Sequence, residues 1–402
     1  MFEVGLCLPG IPHVSHTPSQ RWHLMIAHPR PLIDVFAMIP DCRQPRGTRP
    51  PFAAIFALAC CAILCGARSD SAIAAWGRHD GVRRVQALGC THAPPCAATL
   101  PPIFRHVNRD EVEAHLSAWA DQVVESLPPG PETPEIAIAL DGKTLRGSNR
   151  QGAPGLHLFS ALAHHGGVTL AQQAVDHKTN ESTAVELLVQ CLVLEGRIGT
   201  LDALLTPRHV AQTIVDKGGD YGMIVKEHQP QLRAAIELVF TLPPGGDRQA
   251  TAQTVDLGHG RIAQRHLTTR AALVGYSAGP GLAQVFALGR HVRFPKTGKE
   301  RVEVVYGVTR LHSERATPER LLALVRGQWQ MENKSHWVRD GTFDEDRSQV
   351  RCGNMPQVMA ALRHTAIGLL RYAGYANIAA AGRRLAAPPL QAWALIGIAL
   401  EN

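Results

Sequence analysis

The spacing of apolar positions changes at a proline-rich break near residue 130. Before the break, apolar side chains recur at helical spacing, most clearly over 108–126. The segment 52–65 is almost wholly apolar and rich in Ala and Cys, which indicates a buried helix. This pattern predicts an all-α N-terminal domain over 31–127, preceded by a poorly ordered leader at 1–30.

After the break, short apolar runs alternate with amphipathic segments. Strands are predicted at 135–141, 156–163, 168–175, 198–201 and 221–225, and helices at 181–194, 206–217 and 231–240. Three strands followed by alternating helices and strands is the order of a ribonuclease-H-like fold. This is an α/β class with a mixed sheet and flanking helices, in which the first and fourth strands lie side by side.

The later part of the chain differs in amino-acid composition. Residues 243–310 are rich in Gly, Arg and β-forming side chains, which predicts a β-rich insertion. A helix is predicted over 317–339, because a Thr cap is followed by Pro in the first turn. The α/β domain is therefore predicted to comprise 132–242 and 311–372, and a C-terminal helical tail follows at 373–402.

Three carboxylate residues occupy positions in these elements at which catalytic or ligand-binding groups are expected. Asp141 closes the first predicted strand, Asp202 directly follows the fourth, and Glu332 lies in the helix over 317–339. Because the first and fourth strands are neighbours, the two aspartates are expected to meet at one sheet edge, where ligand sites commonly form. Two Mg²⁺ ions about 3.5–4 Å apart, held by oxygen ligands, clamp the reacting oxygens of phosphoryl transfer. The pattern predicts such a two-metal site.

Each assignment has an alternative. A single Asp at a strand end is usually a helix or turn cap, and only the ordered set of three favours metal binding. Three later acids compete with Glu332 as the third ligand, namely Asp340, Asp344 and Asp346. On a continuous helix, Glu332 shares a face with Gln328, His336 and Arg339, which places a metal ligand beside phosphate-binding groups.

The charge balance favours a polyanionic partner. The chain has 41 Lys and Arg residues against 34 Asp and Glu, a formal net charge of +7 and a pI of about 9.1. The candidate DNA contacts are Lys143, Arg146, Lys178, Asn180, Lys226, His336 and Arg339. The alternative role of the basic side chains is ordinary solvated charge, and Asn180 is also a natural helix cap. Trp329 and Trp337 are expected to be core side chains rather than base-stacking ones.

The composition also bears on the compartment. Hydrophobic residues make up 45% of the 402, enough for a substantial core, but no apolar run reaches the roughly 18 residues of a membrane span. Nine cysteines, an odd number in mostly apolar settings, favour reduced thiols over a disulfide framework. Since Pro, His and Arg interrupt the N-terminal segment, no signal peptide is recognised and a cytoplasmic protein is expected.

Several of these motifs, in this order, resemble those of the ISAs-type transposases, which include the H-repeat-associated proteins. They are DGKTLRGS at 141–148, HKTNE at 177–181, LDAL at 201–204, GGDY at 218–221, WQMENKSHW at 329–337 and FDEDRS at 343–348. The resemblance covers roughly 31–372. An ordered set of this size is hard to obtain by chance.

The resemblance implies a DDE transposase of a bacterial insertion sequence. Its catalytic triad would be Asp141, Asp202 and Glu332, holding two Mg²⁺ ions for which Mn²⁺ would substitute. Water would first cut the element's end, and the freed 3′-hydroxyl would then attack target DNA. The implied partner is double-stranded DNA, as terminal repeats and as target, bound by a homodimer near the nucleoid. The helices over 31–127 would then take part in recognising the ends.

The chain departs from the family pattern at 205–207, where a His and a Gln are usual, and at 94–101, which looks eroded. Lys334 and Arg339 add charge where apolar residues are common. These departures leave open a degenerate copy that binds DNA without efficient catalysis. A metal-dependent nuclease on the same fold is a second alternative, since it would cut without joining. A carboxylate-pair glycosidase, the third, would need no metal.

Overall fold

The computed structural model describes residues 29–398, apart from gaps at 46–47, 80–85, 87, 91, 129, 131–134, 151–153, 176–180, 203–207, 228, 244–248, 259 and 276–278. The predicted leader lies outside the described residues up to position 28. The candidate DNA contacts Lys178 and Asn180 and the altered stretch at 205–207 also lie outside them.

The described part of the N-terminal region is built from helices. They are α1 (Leu32–Met38), α2 (Phe52–Leu64), α3 (Asp70–His79), α4 (Leu100–His106) and α5 (Arg109–Ser126). Apolar side chains fill α2, which is buried almost throughout. The Asn108 side chain accepts hydrogen bonds from the backbone N–H groups of Asp110 (3.0 Å) and Glu111 (3.4 Å), which fixes where α5 begins.

The strands of the described residues join into one sheet. In chain order they are β1 (Ala137–Leu145), β2 (Leu156–Ala163), β3 (Thr169–Val175), β4 (Ile198–Leu201), β5 (Asp220–Val225), β6 (Gln249–Gly258), β7 (Arg261–Arg270), β8 (Gln284–Phe294) and β9 (Lys299–Thr309). Their order across the sheet is β3-β2-β1-β4-β5-β9-β8-β7-β6. β1, β4 and β5 run parallel, and the other neighbours are antiparallel. The predicted α/β class with a mixed sheet is confirmed.

β1 is longer than the sequence pattern predicts, and Asp141 lies in its middle rather than at its end. The strand stays paired with β2 as far as Leu145. Gly142 permits this pairing, because a Cβ at that position would lie 2.5 Å from the His157 ring and 2.6 Å from the Phe159 ring. A Gly that signals a turn in the sequence therefore serves close cross-strand packing here.

Residues 243–310 were predicted as an insertion, and their strands extend the main sheet. The outer strands β6 to β9 follow one another as antiparallel neighbours, and β9 pairs directly with β5. Gly307 makes this junction close, because a Cβ there would lie 2.6 Å from the carbonyl oxygen of Met223 on β5. The edge of the predicted α/β domain is thus hydrogen-bonded to the added strands.

The remaining described helices cover the sheet and connect it to the N-terminal region. They are α6 (Glu181–Cys191), α7 (Arg208–Asp216), α8 (Pro230–Thr241), α9 (Pro318–Met331), α10 (Trp337–Gly341), α11 (Met355–Tyr372), α12 (Ile378–Ala386) and α13 (Leu390–Leu395). The buried helix α11 contacts α2, α4, α5 and β3, so the predicted domains share one hydrophobic core. None of the helices in the described ranges is long and apolar enough to cross a membrane.

A largely buried carboxyl group links α5 to β3 and α11. Glu113 Oε1 accepts hydrogen bonds from the side-chain amides of Gln172 on β3 and Gln357 on α11. Burial raises the pKa of Glu113 from an ordinary 4.5 to about 8, although both hydrogen bonds favour the ionised form. The site therefore stabilises the protonated acid.

Glu113→Gln is expected to raise the thermal midpoint of unfolding at neutral and alkaline pH. Because the folded-state pKa is raised, the stability contributed by the acid is complete below pH 4.5 and is lost as the pH rises towards about 8. Neutral Gln escapes that loss and keeps an oxygen that accepts both amides. The two proteins are compared by thermal unfolding from pH 5 to pH 9. A difference in midpoint that does not grow with pH would contradict the assignment.

Candidate metal centre

Asp141 and Asp202 occupy equivalent positions directly after the last paired residues of the parallel strands β1 and β4. The strands pair in register up to Leu140 and Leu201, so Asp141 and Asp202 each come one residue after the last pair. Both carboxylates therefore lie at the same edge of the parallel pairing. Asp141 Oδ1 accepts a hydrogen bond of 2.8 Å from the backbone N–H of Gly142.

Helix α9 carries Glu332 to this edge. One turn before Glu332, the buried Gln328 side chain donates from Nε2 to the carbonyl oxygen of Leu140 at 2.8 Å. Its Oε1 accepts from the Thr200 hydroxyl on β4 at 2.7 Å. Gln328 thus bridges both strands and fixes the end of α9 beside the two aspartates. A buried amide with both ends satisfied holds its helix in one register.

Asp141, Glu332 and His336 form the candidate metal centre. Each offers one ligand atom, and these atoms lie within 4.8 Å of one another. His336 Nδ1 is 3.0 Å from Glu332 Oε2 and 3.8 Å from Asp141 Oδ2. Asp202 is outside this group of three, and its Oδ2 lies 2.8 Å from Lys226 Nζ.

The electrostatics of the centre suit a divalent cation. Burial, together with the negative charges of Asp202 and Glu332, raises the pKa of Asp141 to about 6. A bound cation would relieve this repulsion between carboxylates. Burial and then the charge of Arg339 lower the pKa of His336, so its imidazole is neutral at pH 7, the form that binds metals. Carboxylate oxygens are the ligands that Mg²⁺ and Mn²⁺ prefer, and they fit the donor set.

The predicted helix over 317–339 is confirmed in extent, because α9, a π-helical segment at Glu332–His336 and α10 follow one another without a break, but the α-helical spacing is interrupted over the π segment. Within the segment the Glu332 and His336 side chains are hydrogen-bonded, and Lys334 Nζ donates to the His164 carbonyl oxygen at 2.8 Å. A π turn widens the helix, which is why side chains beyond it leave the face that an unbroken α-helix would give them.

Arg339 is fully buried, which contradicts its predicted contact with DNA. Its Nη2 lies 2.6 Å from Glu345 Oε2, and its Nη1 is 3.1 Å from His364 Nε2. Arg363 on α11 reaches the other oxygen of Glu345 at 2.9 Å. Arg339 therefore anchors the helix of the metal centre to α11.

The sequence predicts that Lys143 contacts DNA. In the structure, Lys143 instead forms ion pairs inside the protein. Its largely buried Nζ lies 2.8 Å from Asp340 Oδ2 and 3.1 Å from Asp346 Oδ1. This pairing neutralises the ammonium, and it also gives two of the three competing acids another partner. The third, Asp344, lies 3.8 Å from Arg347. Glu332 is the acid that reaches Asp141.

The other predicted contacts have different surroundings. Arg146 is 80% exposed and lies 3.7 Å from Asp346, so it remains a candidate for binding DNA. Lys226 is half exposed and forms the ion pair with Asp202 described above. The expectation that Trp329 and Trp337 are core side chains is wrong, because they are 36% and 65% exposed.

Sequence reasoning did not identify His336 as part of the candidate metal centre. It was assigned only as a DNA contact, yet the structure places its ring between Glu332 and Asp141. The four-residue spacing from Glu332 was the available signal, since residues at that spacing meet on one helical face. A His four positions after a metal-binding Glu is thus itself a ligand candidate.

The mixed sheet and its acidic group define an α/β protein with a candidate metal centre. Comparison with known families makes this specific. Residues 132–369 match the family described as "Transposase DDE domain", and residues 33–120 match its companion, "DDE_Tnp_1-associated". The chain belongs to the DDE transposase family, in its H-repeat-associated branch.

Individual relatives are similar over most of their length. The "Putative transposase YncI" of Escherichia coli O157:H7 is 28% identical over 351 residues, which are 85% of this chain and 87% of the relative. The "H repeat-associated putative transposase YhhI" of Escherichia coli K12 is 27% identical, over 84% of this chain and 90% of the relative. A solved piggyBac transposase synaptic complex with hairpin DNA covers 95% of this chain and 81% of its own, with 10% identity and a TM-score of 0.43. That likeness is too distant to support an inference.

Proposed function

We propose that this chain is the DNA transposase of an insertion sequence, with a ribonuclease-H-like fold and a catalytic triad of Asp141, Asp202 and Glu332. It cuts the ends of its element and joins the freed 3′-hydroxyl to target DNA, as a homodimer on paired ends. The observation that carries this proposal is the meeting of Asp141 and Glu332 beside the parallel pair β1–β4. The strand order β3-β2-β1-β4-β5 supports the fold assignment.

The protein's own groups have distinct tasks in this chemistry. Asp141, Asp202 and Glu332 would hold the cations, and His336 would orient Glu332 through their 3.0 Å contact. Mg²⁺ held at this site would supply activation of the attacking water or hydroxyl and stabilisation of the leaving oxygen. Lys226 holds Asp202 in an ion pair at the protein surface. Gln328 keeps the helical and strand-borne acids in fixed relation.

A basic groove between the N-terminal helices and the loop after α10 supports a DNA partner. It encloses about 430 Å³ between α3, α4 and the loop that follows α10. Its charged lining residues are Arg68, Arg105, Arg347 and Arg351, with Asp70 and Asp344. Arginines placed in this way bind the phosphate backbone, which supplies most of the affinity for DNA but no sequence information.

The test uses purified protein and an end-labelled duplex that carries the repeats flanking its own element. We expect nicking at the repeat end in the presence of Mg²⁺ or Mn²⁺, loss of nicking with EDTA, and joined products when unlabelled target DNA is added. Joining is expected because no covalent enzyme intermediate is needed when a 3′-hydroxyl replaces water as the nucleophile.

Each alternative gives a different result in the same assay. Metal-dependent nicking without joined products would identify a nuclease and contradict the transposase. Tight binding without nicking would identify a degenerate copy, in which the stretches at 94–101 and 205–207 are the first to restore. Cleavage that persists in EDTA would remove the metal centre from the mechanism.

A further inference from the structure

One face of the outer strands β7 to β9 carries a concentration of arginines. Side chains alternate between the two faces of a strand, so Arg290 and Val292 point the same way on β8. Across the sheet, Arg265 is the register partner of Arg290, and Arg301 is the partner of Val292. Arg261, four residues before Arg265 on β7, is on this same face. We call the four arginines, Arg261, Arg265, Arg290 and Arg301, the arginine face.

The arginine face carries an excess of positive charge, because its four arginines outnumber the acids Asp256 and Glu303. Arg265 and Arg290 stand directly opposite each other, and like charges in that position destabilise a sheet. The acids of this face are already engaged, because Asp256 is shared by Arg265 and Arg326, and Glu303, the register partner of Arg290 on β9, lies 3.5 Å from Arg301. Partial burial, and then the charges of Arg265 and Arg261, lower the pKa of Arg290. A polyanion laid against this face would relieve the repulsion.

Helix α9 connects the arginine face to the metal centre. Its apolar side chains, such as Leu321 and Leu324, belong to the same buried cluster as Leu288 on the inner part of this face. At the end of α9, the guanidinium of Arg290 lies over the Trp329 ring, 5.6 Å from its centroid. Trp329 comes one turn before Glu332, so Arg290 contacts a side chain about one turn from the candidate metal ligand on the same helical run.

We propose that Arg290 and Arg301 bind backbone phosphates of the DNA that flanks the reacting phosphate, and that Trp329 positions the guanidinium of Arg290 for this contact. The site rests on the proposed function, because its ligand is the duplex that the metal centre cuts. A guanidinium held flat over an aromatic ring keeps its N–H edges free for phosphate oxygens. In this arrangement the exposed Trp329 ring supports Arg290 and does not stack on a DNA base.

The opposite face of the same strand offers a matched control. Arg293 is three residues after Arg290 on β8 and therefore points away from the arginine face. It is 64% exposed and lies 3.6 Å from Glu300. Arg293→Gln removes one positive charge from β8, as the single variant Arg290→Gln does, so a general effect of net charge on DNA affinity is shared by these two single variants.

The experiment measures the affinity of the full chain for a labelled repeat-end duplex, without Mg²⁺, over a series of salt concentrations. For the double variant Arg290→Gln/Arg301→Gln we expect weaker binding and a salt slope smaller by about two, one for each lost phosphate contact. Arg293→Gln is expected to keep the wild-type slope. Trp329→Leu should weaken binding in the same direction, and Trp329→Phe should retain it.

The possible failures are distinguishable. A double variant that folds, judged by its circular dichroism, and keeps the wild-type affinity and salt slope would overturn the arginine-face proposal while leaving the transposase intact. A slope smaller by about one in Arg293→Gln, half the loss of the double variant, would also overturn it, because the effect would then follow net charge and not the face. A wild-type protein that binds no DNA would overturn both proposals together.

Discussion

Glu332→Gln is expected to lower Mg²⁺-dependent cleavage of the element's ends by at least about 10³-fold, equivalent to about 4 kcal/mol of transition-state stabilisation. The substitution keeps the length of the side chain and its contact with His336 but removes the negative charge that would hold a cation in the proposed site. Asp141→Asn and Asp202→Asn are expected to act in the same direction. Initial cleavage rates at saturating DNA and Mg²⁺ measure the effect.

Glu319→Gln is the matched control for this prediction. It makes the same chemical change in the first turn of the same helix, at an exposed position far along α9 from the metal centre. DNA affinity and the thermal midpoint of unfolding should be unchanged in both variants. If Glu332→Gln retained the cleavage rate of Glu319→Gln, Glu332 would not be a metal ligand, and the acidic residues paired with Lys143 would have to be reconsidered.

The central strands were predictable because local signals decide them. β2 and β4 have the predicted bounds, since each is a short apolar run between turn-forming residues. The end of β1 was not predictable in the same way. Gly142 is a turn signal locally, and only the rings of His157 and Phe159 on the facing strand show why it remains in the sheet. Such cross-strand packing depends on residues distant in sequence.

The environment of charged side chains was the least predictable part of the candidate site. Lys143 and Arg339 are residue types that are usually solvent-exposed or bound to DNA. Both are instead buried in ion pairs with acids from elsewhere in the chain. The π turn after Met331 has no signal in the periodicity, although it decides which way Arg339 points. Sequence spacing could bring Asp141 and Glu332 together, but only tertiary structure distinguishes a phosphate ligand from a structural cation.

Glu345→Gln is expected to destabilise the folded protein by about 3–5 kcal/mol, since it leaves buried charges without a partner. Glu345 is buried between Arg339, at 2.6 Å, and Arg363, at 2.9 Å. Burial alone would raise the pKa of Glu345, but the two guanidinium charges outweigh it and hold that pKa below its usual value. Because Arg339 belongs to the helix of the metal centre, loss of this pairing should also lower cleavage at temperatures where the variant is still folded.

Asp344→Asn provides the neighbouring control, because its pair with Arg347 is solvent-exposed and contributes about 0–1 kcal/mol. Denaturant unfolding at pH 7 compares the two variants with the wild type. The contribution of Glu345 is present above its unfolded-state value of 4.5 and is lost as the pH falls through its lower folded-state pKa. The gap between Glu345→Gln and the wild type should therefore narrow at acidic pH. Equal stability of Glu345→Gln and Asp344→Asn at pH 7 would show that Glu345 does not hold the helix of the metal centre against α11.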